Sequence, residues 1–167
     1  MAKLDIRFSV AVQGNFSVRA LNLLLTFQVN CPGCFLYALP LVQQLWEKSA
    51  ENGLNIISLS TAFEDFELNT FENTQLLVKE KTIIGETKKA LAQYGFEKYP
   101  DRIGFPVLMD EFISREEFLT DEKLDEIVNA NSAFTSLNEI RRNEFKREIR
   151  RYLSHYEKIP YTFTVNN

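Results

Sequence analysis

The chain has 167 residues, of which 45% are hydrophobic and 25% charged, and its formal net charge is −4. These values are typical of one soluble domain with a full core. The acidic balance argues against nucleic-acid binding, which usually needs a strongly basic face. No stretch reaches the about 18 apolar residues of a membrane span, and the N-terminus lacks the pattern of a secretory signal. We therefore expect a cytoplasmic protein without membrane or nucleic-acid partners; a periplasmic chain whose signal had been removed would look the same.

The N-terminal half predicts a β-α-β unit. Alternating apolar residues predict a strand over Leu4–Val12, after which Phe16–Arg19 could pair back as a short hairpin. The nearly continuous apolar run Leu21–Val29 predicts a strand that is covered on both faces. Apolar residues at helical spacing follow from Phe35, with Pro40 expected to kink the helix and Asn52-Gly53 to end it. A second apolar strand over Leu54–Leu59 should lie parallel to the first.

The second half predicts more helices and two further strands. An Asn69/Glu72 capping box and a Ser136/Glu139 capping box are expected to begin two of the helices. The segment from Ser136 to Lys158 holds seven Lys/Arg against four Glu, so it carries +3 while the remainder of the chain carries −7. In chain order the predicted elements are helices over Thr70–Glu80 and Glu86–Tyr94, a strand over Phe105–Asp110, helices over Asp121–Asn131 and Ser136–Tyr156, and a strand over Ile159–Val165.

The two cysteines, Cys31 and Cys34, are the only ones in the chain, and they lie between a predicted strand and a predicted helix. A disulfide between them closes a very short loop, so it would add little stability. The free N–H groups and the dipole at a helix N-terminus favour a thiolate at the first cysteine. Pro32 and Gly33 should shape the loop that presents Cys31 outward. This arrangement indicates dithiol–disulfide exchange.

The succession of strand, Cys31-Pro-Gly-Cys34, kinked helix, strand, helix and Phe105-Pro-Val-Leu-Met-Asp110 resembles the thioredoxin-like superfamily. Within it the chain is most similar to the TlpA/redoxin-type thiol–disulfide oxidoreductases, over roughly Leu21 to Asp110. The resemblance implies an α/β, thioredoxin-like three-layer fold in a single domain, 1–167, with a helical insertion at about 111–158 before the last strand. It implies that Cys31 is the nucleophile and that Cys34 resolves the mixed disulfide. Pro160 in Ile159-Pro-Tyr-Thr-Phe is similar to the family's cis-proline, with Pro106 as the alternative.

The chain also departs from the family pattern. Asn30 occupies the position before the first cysteine, where the family usually has Trp, and Pro40 is six rather than five residues after Cys34. Family members continue past the cis-proline strand into another strand and a helix, whereas the sequence ends at Asn167. Either the helical insertion replaces that layer or the chain is a truncated version. Because no buried acid precedes the motif, water or a loop acid such as Glu64 or Asp65 would accept the Cys34 proton.

The expected function is therefore thiol–disulfide oxidoreduction, acting on a client protein or a low-molecular-weight disulfide, with no cofactor and with an electron donor that the sequence does not identify. A non-catalytic adapter that uses the basic helix is the main alternative. A metal site is less favoured, because structural zinc needs four ligands and His155 is the only histidine. A peroxidase is also less favoured, because Leu24 and Gln28 replace the Pro and Thr of the peroxiredoxin signature. Client, oligomeric state and direction of electron flow are not determined by the sequence.

Overall fold

The computed structural model describes residues 6–130, 134 and 136–163. The chain divides into two compact units, Met1–Glu111 and Phe112–Asn167. The boundary lies where the sequence predicts the helical insertion to begin. That the two units form a single domain stays a prediction.

The first unit is built on a four-stranded sheet, whose strands are β1 (Phe8–Gln13), β2 (Leu21–Phe27), β3 (Leu54–Ser60) and β4 (Val107–Asp110). Their order across the sheet is β1-β4-β3-β2. Strand β2 runs parallel to β3, and β3 runs parallel to β4, whereas β1 is antiparallel to β4. The parallel pairing of the β-α-β unit is therefore confirmed. The predicted hairpin is wrong, because 16–19 forms no strand and β1 pairs with β4 instead.

The position of β2 differs from the expectation of a strand covered on both faces. It lies at the edge of the sheet, and its N-terminal residue Leu21 is 59% exposed. Strand β3 is an interior strand, as β4 is, and six of the seven β3 residues are buried. A continuous apolar run thus identified both strands but could not distinguish the edge strand from the interior strand.

The helix after the cysteines begins irregularly. A short π-helix, Cys34–Ala38, precedes helix α1 (Leu39–Asn52), and the Leu39 N–H donates to the Cys34 carbonyl at π spacing. Pro40 therefore lies in the first turn of α1 rather than inside one continuous helix, at a position where its missing N–H is tolerated. Gly53 ends α1 with φ of +64°, as the Asn52-Gly53 signal predicts.

Two more helices complete the first unit, α2 (Phe71–Glu80) and α3 (Gly85–Ala92). The Thr70 side chain caps α2 by accepting from the Asn73 N–H, so the predicted Asn69 cap is wrong. The main core contains apolar side chains from the helices and the sheet, among them Leu39, Leu77, Leu91, Phe27, Ile56 and Val107. The expected α/β fold class is confirmed, with a central sheet and packed helices.

The second unit has a two-stranded antiparallel sheet, and three helices are described in it. Asn138 caps the last helix by accepting from the Arg141 N–H, so the predicted cap at Ser136 is wrong. The predicted strand over Ile159–Val165 is shorter, and residues 164 and 165 lie outside the described residues. The elements are β5 (Phe112–Ser114), α4 (Arg115–Phe118), α5 (Asp121–Ala130), α6 (Glu139–Leu153) and β6 (Lys158–Pro160).

Candidate active site

The cysteine pair lies at the carboxyl end of β2. That strand ends at Phe27, the backbone then passes through a buried three-residue segment, 28–30, and Cys31 emerges partly exposed. The Cys34 N–H donates to the Cys31 carbonyl at 3.0 Å, which closes the turn between the two residues. The π-helix begins at Cys34. The sequence-predicted placement of the motif between a strand and a helix is therefore what the structure shows.

The two sulfur atoms are close together and both cysteines are free. The Cys34 Sγ donates to the Cys31 Sγ over 2.6 Å, and the Cys34 backbone N–H also points at the Cys31 Sγ, at 3.3 Å. A disulfide bond has a length of about 2.05 Å, so only a small shift of either side chain is needed to form one. Both donors point at the same sulfur, so the geometry favours negative charge on Cys31 rather than on Cys34.

The electrostatics of the pair follow from this one-way donation. The hydrogen bond from the Cys34 thiol is the main reason why the pKa of Cys31 falls from 9.0 to about 6, with backbone N–H groups adding to the effect against the cost of burial. The same hydrogen bond and burial raise the pKa of Cys34 well above its usual range. The first proton therefore leaves from Cys31, and near neutral pH Cys31 is the thiolate and Cys34 the thiol.

Nothing in the surroundings of Gly33 requires a glycine between the cysteines. Gly33 has φ of −62° and ψ of −34°, which any residue can adopt, and a Cβ atom there would meet nothing within 4 Å. Neither backbone conformation nor space requires glycine at this position. That Pro32 and Gly33 shape the presentation of Cys31 stays a prediction.

The proline predicted to face the cysteines lies in the second unit. Pro160 ends β6 and pairs with Phe112 of β5. No described residue has a cis peptide bond, so the bonds before Pro160 and before its alternative, Pro106, are both trans. The expectation of a cis peptide bond at either proline is therefore not met. A supporting role for Pro160 stays a prediction.

Sequence reasoning missed a group of polar side chains directly before Cys31. Gln28 and Asn30 are buried, at 7% and 5% exposure, and they bond to the loop after β3 and to α3. Asp65, a candidate acid, accepts from the Asn30 Nδ2 at 2.7 Å. Glu64, the other candidate, is exposed, and its charge slightly raises the pKa of Cys31. In the sequence, the signal for this polar group was that two amide side chains, Gln28 and Asn30, interrupt an apolar run.

His155 is exposed and follows the end of α6. Within the residues that the structure describes, no group of three or more His, Cys, Asp or Glu side chains is arranged to hold a metal ion. No helix among those residues is long and apolar enough to cross a membrane.

No protein-family model and no curated protein matches the chain. Two solved structures are similar to it: a thiol-disulfide isomerase from Corynebacterium glutamicum, with 21% identity and a TM-score of 0.45, and a thioredoxin-like superfamily protein, with 21% identity and a TM-score of 0.41. Each similarity covers 64% of this chain and 60% of the other chain.

Proposed function

We propose that this chain is a thioredoxin-like thiol–disulfide oxidoreductase with Cys31 as the nucleophile and Cys34 as the resolving cysteine. The observation that carries the proposal is the one-way hydrogen bonding of the pair, in which the Cys34 thiol and backbone N–H both donate to the Cys31 sulfur. A thiolate attacks a disulfide far faster than a thiol does, so this geometry selects the attacking atom.

The proposed reaction transfers two electrons from the two cysteines to the disulfide of a client. The Cys31 thiolate attacks one sulfur of the client disulfide, forming a mixed disulfide and releasing the other client sulfur as a thiolate that takes up a proton. Cys34 then loses its proton and attacks the Cys31 sulfur, which forms the Cys31–Cys34 disulfide and releases the second client thiol. The client is reduced and the protein is oxidised, so turnover needs a thiol donor. The same steps in reverse oxidise a client dithiol.

Two variants test the assignment of the cysteines. Cys31→Ser should lower the rate of insulin reduction by dithiothreitol to the rate measured without protein, because the attacking sulfur is gone. Cys34→Ser should instead accumulate a mixed disulfide through Cys31, visible by mass spectrometry and released by excess thiol. Unchanged insulin reduction by the Cys31→Ser variant would overturn the assignment.

A titration separates an active pair from an inert one. Thiol labelling of the wild-type protein across a glutathione redox series should show loss of both thiols together as the pair oxidises. A pair that stays reduced even in excess oxidised glutathione would exclude dithiol exchange and favour a non-catalytic role.

The alternative, a non-catalytic adapter that binds a partner through the basic helix α6, has little support from the charges of that helix. Lys146 and Arg150 of α6 form ion pairs with Asp125 and Asp121 of α5, and Arg151 pairs with Glu148 of its own helix. These contacts use part of the positive charge within the second unit. Such pairs are typical of a solvated amphipathic helix.

A further inference from the structure

Asn30, the residue before the nucleophilic cysteine, is bonded through its backbone N–H and through both ends of its side-chain amide. Its backbone N–H donates to the Asn69 Oδ1 at 2.9 Å, and its Nδ2 donates to the Asp65 Oδ2 at 2.7 Å. Its Oδ1 accepts from the Glu86 N–H at 2.7 Å. The residue is 5% exposed. A buried amide with several short bonds has little freedom to move, so the backbone on either side of it is held as well.

The bond to Glu86 makes Asn30 a cap for helix α3. The residue in the N-cap position of α3, Ile84, offers no side-chain cap, so the amide of Asn30 satisfies an N–H group at the start of that helix from another part of the chain. The Thr87 hydroxyl adds a bond to the Val29 carbonyl at 2.9 Å. The first turn of α3 is therefore bonded to the two residues that precede Cys31.

The backbone of Gly85 lies directly against the side-chain amide of Asn30. Its φ is +49°, and a Cβ atom built on it would lie 2.1 Å from the Asn30 Oδ1. A side chain at this position would have to displace the Asn30 amide, and it would also be strained by the left-handed backbone. Close approach of α3 to Asn30 thus requires glycine.

The loop after β3 also contacts Asn30, through Asp65 and Asn69. Asp65 has φ of +48°, a conformation that Asp and Asn adopt more readily than most residues. The Asn69 Nδ2 donates to the Glu64 carbonyl at 2.8 Å and, at 3.2 Å, to the Gln28 Oε1. These bonds fix the loop at the point where the Asp65 carboxylate meets Asn30.

We propose that Asn30 is a positioning residue for Cys31: by joining Asp65 and the start of α3 to the backbone before the nucleophile, it holds the Cys31 sulfur in line with the donors of Cys34. The proposal rests on the proposed function, in which Cys31 is the attacking thiolate.

The test measures the pH at which Cys31 becomes reactive, which a purely structural residue would not change. Asn30→Ala removes both side-chain bonds, and Thr74→Val is the matched control, because it removes a buried hydroxyl bonded to Ser60 at 2.7 Å. The midpoint of iodoacetamide alkylation at Cys31, followed by mass spectrometry, should rise by about one pH unit in Asn30→Ala. It should stay unchanged in Thr74→Val even where the urea midpoint of that variant falls.

A second pair of variants covers the case in which Asn30→Ala does not fold. Asp65→Asn and Asp65→Gly both remove the charge and both tolerate positive φ, but only Asn keeps an oxygen that can accept from Asn30. Asp65→Gly should raise the alkylation midpoint by about half a pH unit or more relative to Asp65→Asn. Equal midpoints in this pair would overturn the proposal, as would an unchanged midpoint in a folded Asn30→Ala protein.

The result of the alkylation test does not depend on whether the protein exchanges disulfides with a client. Alkylation needs only the Cys31 thiolate, so the predicted shift can appear even if the protein fails to reduce insulin. In that case the positioning role stands and the proposed function fails. Normal insulin reduction by the wild-type protein, with no midpoint shift in either test, would support the proposed function and overturn the positioning role.

Discussion

The strongest prediction concerns the hydrogen bond from the Cys34 thiol to Cys31. Replacing Cys34 by Ala removes the largest of the effects that lower the pKa of Cys31 to about 6 from 9.0. Replacing Cys34 by Ser keeps a hydroxyl donor at nearly the same place. We therefore expect the pKa of Cys31 to rise in the order wild type, Cys34→Ser, Cys34→Ala.

The size of the expected change in Cys31 ionisation is bounded by two pKa values, about 6 in the folded protein and 9.0 for an unperturbed cysteine. At pH 7 a group of pKa 6 is about 90% ionised, whereas a group of pKa 9 is about 1% ionised. The backbone N–H of Cys34, 3.3 Å from the Cys31 sulfur, remains in both variants. A shift of about one to two pH units is therefore expected for Cys34→Ala, since one hydrogen bond to a charged group contributes about 1.5–3 kcal/mol.

The assay is the pH profile of Cys31 alkylation, with the thiolate absorbance near 240 nm as a second observable. The midpoint is the proper readout, because nucleophilicity rises with pKa and partly offsets the loss of thiolate at any single pH. Each variant has one cysteine, and in the wild type mass spectrometry separates the two sites. A wild-type midpoint near 9, or equal midpoints for the wild type and Cys34→Ala, would refute the reasoning.

Three further predictions concern residues of the first unit, Met1–Glu111. Glu64→Gln should lower the Cys31 alkylation midpoint by a few tenths of a pH unit at low salt and by less at 1 M salt, because an exposed charge is screened; a rise would contradict this. Tyr99→Phe should raise the urea unfolding free energy by about 1 kcal/mol, because the buried Tyr99 hydroxyl lacks a partner among the described residues; a clear loss would show that the hydroxyl is bonded. Because the pKa of Cys31 is lower folded than unfolded, the reduced protein should gain stability over Cys31→Ser as pH rises from about 6 to 9, and lose that gain as pH falls through 6; a flat difference in urea unfolding would exclude it.

Local patterns in the sequence were enough to predict the framework of the site. Apolar runs identified β2 and β3, and Gly53 marked the end of α1. The cysteines between β2 and α1 suggested the chemistry that stays a proposal. Each of these signals lies within a few neighbouring residues, where propensity and periodicity act directly. The same local reasoning failed at the N-caps of α2 and α6, where a neighbouring Thr or Asn one or two positions away provides the cap instead.

The contacts of Asn30, the residue before Cys31, are not local. Asn30 bonds to Asp65, Asn69 and Glu86, which are 35, 39 and 56 residues further along the chain. No spacing rule connects such positions, and an amide in an apolar run is equally compatible with a solvent-facing turn. The fit of Gly85 against Asn30 is visible only once the helix has been placed.

In the proposed reaction, the hydrogen bond between the cysteines would also set the order of the two chemical steps. While Cys31 is a thiolate, it holds the Cys34 proton in place and raises the pKa of Cys34, so Cys34 does not attack early. When Cys31 enters a mixed disulfide, its negative charge is gone and it becomes a weaker acceptor. The pKa of Cys34 then falls toward the range set by burial and by the nearby backbone, which makes its deprotonation easier when the second step requires it. In the proposed reaction, one contact would thus activate the first sulfur and delay the second.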